Sequence, residues 1–334
     1  MHSVATPQSM NTASLATVER AESLWFSDGN IIIHAGSMIF RVYRGMLARQ
    51  SPILEKILDA LKLANNEVLD GCPVIHIPFG ALETAYFLAA IFDPNSFDSL
   101  LGRISFDAIA AVLRLSETYR IPALRRKALI LLSSVYPTTL GELGRAGLNP
   151  SYCRDQILPV IHLARAHNAD WILPLAFYRF CLEMTGPTLR SGVEYGGAQV
   201  VLSAADTEAC YDANIAMRTE NLEQTWARYQ ARLPDGGCTG GGPCRTSRFR
   251  ESDTLMQRVI ARPLPDLIQR WEPEAGSNLC PACRADMQDW HRKRKQAAWD
   301  DLPRLFGLRD WNFLNKLKSQ ALGDPEDDED SVTF

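Results

Sequence analysis

The chain has 334 residues, 46% hydrophobic and 22% charged, with 35 basic residues against 39 acidic for a formal net charge of −4. These proportions exclude a collagen-like, coiled-coil or wholly disordered chain, and the length suggests about two domains. No basic excess is present, so sequence-independent binding to nucleic acid is not favoured.

Residues 1–20 are polar and rich in Ser, Thr and Ala, and read as a disordered leader. They lack the charged start and apolar core of a secretory signal, which predicts an intracellular chain, cytoplasmic or nuclear. Asp28-Gly29-Asn30 forms a turn, the β-branched run Ile31–Ile33 a strand, and Ala35-Gly36-Ser37 a second turn. Met38, Phe40 and Val42 alternate with Ile39, Arg41 and Tyr43, so a second strand completes a hairpin. Gly45 to Asp59 has helical pattern around Ser51-Pro52, a cap followed by proline at the first helical position. Val74–Ile77 is a short third strand.

Helices follow. Leu82, Ala85, Tyr86 and Ala89 make one stripe. Phe106, Ile109, Ala110 and Leu113 make another behind a Ser105 cap, and Leu124, Ala128, Leu131, Leu132 and Val135 a third. The longest uncharged apolar run, Ala128 to Leu140, is too short to span a bilayer. Beyond Pro137, Ile157, Val160, Ile161 and Ala164 line one helix, and Trp171, Leu175, Tyr178 and Leu182 the next. Gly186 to Gly197 reads as a loop, and Ser203 with Asp206 as a capping box for a long helix. Helices are also expected over 247–261, 281–299 and 311–322. Residues 324–330 carry six carboxylates, and without them 35 basic residues face 33 acidic ones, so the body of the chain is near neutral and 323–334 is an acidic tail.

Of eight cysteines, four lie at Cys238, Cys244, Cys280 and Cys283. Intracellular thiols stay reduced, so clustered cysteines there lean toward metal rather than a disulfide framework. Zinc takes four thiolates at tetrahedral corners, and a close pair from a glycine-rich loop with a close pair from a helix start supplies them. Pro281 suits the first helical position, which places Cys280 at the cap and Cys283 one turn in. A structural zinc is therefore the candidate cofactor. The five-residue gap in the first pair is wide for a zinc motif, and unliganded thiols, a disulfide and a redox Cys-x-x-Cys remain as readings. His291 is an alternative fourth ligand.

His291-Arg292-Lys293-Arg294-Lys295 is a basic run, a nuclear-localisation or nucleic-acid patch in one reading and a solvated helix face in the other. The glycines of 236–242 are not a phosphate cradle, because Cys244-Arg245 stands where glycine and lysine are needed. No Gly-x-Ser-x-Gly or His-Glu-x-x-His occurs, and the six histidines show no recognisable spacing to acids. No catalytic residue is assigned, and the chain is not expected to be an enzyme.

The order of features over Leu24–Leu54 resembles the opening of a BTB/POZ domain: an aspartate, an apolar strand, a turn, a Phe-x-Val-His strand and a helix ending Leu-Ala-x-x-Ser. Asp28, Ile31 to Ile33, Phe40, Val42, Leu47, Ala48 and Ser51 match, Tyr43 replaces the histidine, and about two extra residues follow the aspartate. The third strand and the helices to 137 fit in order. The chain is similar to BTB proteins abundant in mushroom-forming fungi, whose ends resemble Leu279-Cys280-Pro281-Ala282-Cys283 and Trp299-x-x-Leu302-Pro303-x-x-Phe306-Gly307-Leu308. The resemblance implies an α+β chain: a BTB/POZ fold at 21–137, a helical extension at 138–234 and a helical region with the four-cysteine site at 235–322. It also implies an interaction module that forms homodimers and serves as an adaptor, with a cullin-type ubiquitin ligase scaffold or a corepressor as partner. Asp28 and Arg44 are the positions that correspond to a charged pocket at the dimer groove. A second reading is a transcriptional or chromatin regulator using 238–318 as a zinc-stabilised basic module.

Overall fold

The computed structural model describes residues 18–61, 67–93, 95–97, 104–146, 156–183, 185–230, 237–261, 267–268 and 276–323. The acidic run 324–330 and most of the expected leader lie outside these residues. The chain is α+β and divides into two compact units, Met1–Leu132 and Ser133–Phe334.

The first unit contains β1 (Glu19–Trp25), β2 (Ile31–Ala35), β3 (Met38–Val42), α1 (Arg44–Gln50), α2 (Pro52–Ala60), β4 (Val68–Leu69), β5 (Cys72–His76), α3 (Ala81–Phe92) and α4 (Phe106–Thr118). The helix α5 (Pro122–Val135) begins in it. The sheet order is β1-β3-β2-β5-β4. The hairpin β2–β3 turns on Gly36, whose φ of 56° is a conformation glycine adopts without a Cβ clash. Strand β5 lies parallel to β2, and β1 parallel to β3. Period-two alternation divides the β2 isoleucines between two faces. Ile31 and Ile33 enter the main core with Phe40, Leu47, Leu54, Phe87 and Leu88, whereas Ile32 joins Ile39, Cys72 and Val74 on the opposite face.

Three expectations change here. The leader ends before Glu19, because Glu19 and Arg20 pair with Met38 and Ile39 as the start of an edge strand. The charged residues of Glu19–Trp25 hid that strand: only Ala21 and Leu24 are buried. The helix expected over 45–59 is two helices. Ser51 between them is extended at φ −142°, ψ 118°, accepts from the Leu54 amide at 3.0 Å and donates to the Tyr119 carbonyl at 2.5 Å. Finally, α3 buries Thr84, Phe87, Leu88 and Ile91 and leaves Leu82 exposed. A helix apolar on nearly every side has no stripe for periodicity to find.

The second unit holds α6 (Leu140–Ala146), α7 (Ile157–Ala166), a 3-10 turn (Asp170–Ile172), α8 (Leu173–Glu183), α9 (Gly186–Ser191), β6 (Val193–Tyr195), β7 (Ala198–Val200), α10 (Ala204–Gln230), α11 (Gly241–Ala261), α12 (Pro281–Leu305) and α13 (Trp311–Leu322). Its core lies on α7 and α8, where Val160, Ile161, Phe177 and Tyr178 are buried, and Trp171 just before α8 donates from Nε1 to Ser133 Oγ at 2.9 Å. Pro159 and Pro174 sit in first turns, where a missing amide costs nothing. The loop expected over 186–197 is instead α9 and a β6–β7 hairpin. It is held by Gly192, where a Cβ would meet the Val200 carbonyl oxygen at 1.9 Å. The capping box at Ser203 is half formed. Ser203 Oγ accepts from the Asp206 amide at 3.1 Å, but the Asp206 carboxylate accepts from Arg165 Nη2 at 2.6 Å.

Candidate metal centre

The N-termini of α11 and α12 converge on one point. Gly240 precedes α11, and Cys244 lies in its first turn, so the helix starts earlier than the glycine-rich sequence suggested. Cys280 is the N-cap of α12, extended at φ −63°, ψ 160°. Pro281 opens the helix, and Cys283 follows one turn in. Cys238 completes the set from the preceding turn. The four sulfurs lie within 4.8 Å of one another, with Cys244–Cys280 at 3.7 Å and Cys280–Cys238 at 4.0 Å.

These separations decide the chemistry. A disulfide needs sulfurs about 2.05 Å apart. Four sulfurs about 2.3 Å from a central ion at tetrahedral corners are about 3.8 Å from each other. The cluster therefore has the spacing of a tetrahedral thiolate site and can hold a metal ion such as zinc. His291 lies eight residues beyond Cys283 on α12, roughly 12 Å along the axis, and is not part of the cluster.

The electrostatics divide the sulfurs. Two helix N-termini direct partial positive charge at the site. Hydrogen bonding from the Cys283 backbone amide pulls the Cys280 thiol down to about 5, with help from the Thr239 backbone. Burial pushes the Cys283 thiol up to about 12. The half-exposed cap is thus the ready thiolate, and the fully buried sulfur is the one that must give up its proton on binding a metal. Sequence reasoning missed Arg248. Buried on α11, it brings Nη1 to 4.0 Å from Cys283 Sγ and pairs through Nη2 with Asp286 at 3.3 Å. Its charge partly offsets the two net negative charges of four thiolates around a divalent ion. Leu279 and Met287 close the apolar side. Only the register of α11 against α12 reveals these three residues.

The glycines act differently from one another. A Cβ on Gly240 would meet Cys244 Cβ at 2.8 Å and Cys280 Cβ at 3.4 Å, so the sulfurs converge only over a hydrogen. Gly241 has open space but φ +54°. Gly240→Ala is expected to weaken metal affinity about tenfold by spreading the ligands, measured by competition with a chromophoric chelator.

Asp28 and Arg44 are not brought together. Asp28 accepts from Tyr43 Oη at 2.6 Å, and this contact raises the tyrosine hydroxyl's pKa. Arg44 donates to the Leu58 carbonyl at 2.9 Å and the Asp59 carboxylate at 3.1 Å, closing the α1–α2 corner. Tyr43, in the histidine's place, packs on Phe26 with ring centres 4.9 Å apart. In the basic run, Asp289 pairs with Arg292 and with Lys293 at 2.7 Å, and these cations hold its carboxyl below the usual range. Arg294 bonds Asn221 and stacks over Trp290. Of the other cysteines, Cys153 lies outside the described residues. Cys72 donates to the Gly29 carbonyl at 3.3 Å, and Cys181 and Cys210 are buried.

No protein-family model, no curated protein and no solved structure matches this chain. Among the described residues, no helix is long and apolar enough to cross a membrane.

Proposed function

We propose that this chain is a BTB/POZ-type interaction protein: an adaptor or scaffold that self-associates through its first unit and whose second unit is stabilised by a structural zinc. The observation that carries this reading is the order of elements in the first unit. The hairpin β2–β3, the helix pair α1–α2 broken at Ser51, strand β5 parallel to β2, and then α3 to α5 follow the order that the sequence resemblance implies. The matching positions have structural reasons to be what they are. Ile31, Ile33, Phe40, Val42 and Leu47 are core, and Ser51 is the buried cap. Exposed Met46 on α1 and Ile57 on α2 leave apolar surface for a second chain.

The regulator reading loses support from the basic run, since at least three of its cations are engaged within the chain. The cullin scaffold and a corepressor remain the candidate partners. Light scattering on the full chain after size exclusion tests self-association: the expected mass is twice 37.3 kDa. A well-folded species of 37.3 kDa at micromolar concentration contradicts it.

A further inference from the structure

Strands β2 and β5 run in parallel register, with Ile32 opposite Val74 and His34 opposite His76. The two histidines therefore continue the face of the smaller apolar cluster to its open end. His34 Nε2 lies 3.1 Å from the Gly36 carbonyl oxygen, and His76 Nε2 lies 3.0 Å from Glu67 Oε2. Both partners only accept, so each Nε2 must carry a hydrogen. In a neutral imidazole that leaves Nδ1 as a lone pair. The two Nδ1 atoms face each other at 3.0 Å. Two lone pairs at that distance repel unless something positive lies between them.

We propose that His34 and His76 form a surface site for a divalent late-transition-metal ion of the Ni²⁺ or Cu²⁺ kind, bound through both Nδ1 atoms. The geometry distinguishes this from a shared proton. Two imidazoles on cis corners about 2.1 Å from an ion have nitrogens about 3.0 Å apart and ring centres about 4.6 Å apart. A straight N–H···N bond of the same length holds the centres about 5.3 Å apart. The observed ring centres are 4.8 Å apart, with planes at 67°. Tetrahedral corners would put the nitrogens about 3.4 Å apart, so the pair suits right-angled coordination rather than a zinc tetrahedron. The outer contacts are those of metal-ligating histidines: one ring N–H on a carboxylate and the other on a backbone carbonyl, which fixes each tautomer and aims each lone pair. His76 is exposed and His34 half-buried, so water can fill the remaining corners. The ion would cross-link β5 to β2.

Equilibrium dialysis of the zinc-saturated full chain against Ni²⁺, followed by elemental analysis, tests the site. The expected result is one Ni²⁺ per chain in addition to zinc. His34→Asn and His76→Asn should each lose it, His162→Asn should keep it, and Glu67→Gln should weaken it about tenfold. Zinc content and the far-ultraviolet circular dichroism spectrum should not change. In the unaltered chain, Ni²⁺ should broaden the ring signals of His34 and His76 first, a readout independent of how the variants fold. A chain that takes up no Ni²⁺ beyond zinc overturns the proposal, as does uptake that survives both histidine substitutions or broadens other histidines instead.

Discussion

Cys283→Ser is expected to reduce bound zinc from one ion per chain to a small fraction under mild chelator competition, with affinity lower by several hundredfold. A four-thiolate zinc site is worth roughly 10–16 kcal/mol, so one thiolate carries about 2.5–4 kcal/mol. At 1.4 kcal/mol per tenfold, that is two to three decades. Cys283 is the most sensitive of the four because it is fully buried between α11 and α12 and is the sulfur that faces Arg248. Serine there leaves that guanidinium, itself buried and paired with Asp286 across the junction, without its anionic sulfur. Removing zinc from the unaltered chain with a strong chelator should likewise lower the thermal midpoint of the second unit, since bound metal stabilises only the state that gathers its ligands. Cys210→Ser is the control. It also removes a buried thiol, but one outside the cluster, and should leave the zinc count unchanged. Zinc bound equally well by the Cys283 and Cys210 variants would mean the ion lies elsewhere.

Most of this site was legible in the sequence because its ligands come as two short-range pairs, and the Cys-Pro-x-Cys spacing at a helix start aims its own sulfurs. Arg248 was not legible. Its place beside Cys283 depends on how α11 lies against α12, and the 34 intervening residues carry no periodic trace of that. The His34–His76 pair was hidden for the same reason. The two residues are 42 apart and meet only because β5 pairs in parallel with β2 across a crossover. In the first unit, strands with clean alternation were readable at β2 and β3. Strand β1, whose exposed positions are Glu19, Arg20, Glu22 and Ser23, and the two-residue β4 were not. Helix boundaries followed capping chemistry where a hydroxyl preceded the helix, as at Ser105, which accepts from Ala108 at 3.2 Å. Over 186–200 the same glycines that suggest a loop permit the tight approach of α9 to β7 at Gly192.

Phe40→Ala separates the two units experimentally. Phe40 is completely buried on β3, among Ile31, Ile33, Leu47, Leu54, Phe87 and Leu88. These neighbours come from the sheet and from three helices, so no single segment can move to fill the space. Truncating a core phenylalanine under those conditions costs about 3–5 kcal/mol, against a typical domain stability of roughly 5–15 kcal/mol. The expected result is a fall of roughly 10–20 °C in the thermal midpoint of the first unit. Phe40→Leu, which keeps most of the volume, should lose much less, about 1–2 kcal/mol. All four cysteine ligands lie in the second unit, so Phe40→Ala should still bind one zinc per chain. Its mass in light scattering should fall toward 37.3 kDa at temperatures where the first unit has melted. That combination, zinc retained and self-association lost, assigns dimer formation to the first unit and metal binding to the second. A variant that keeps twice the chain mass after its first unit has melted would place self-association in the second unit instead.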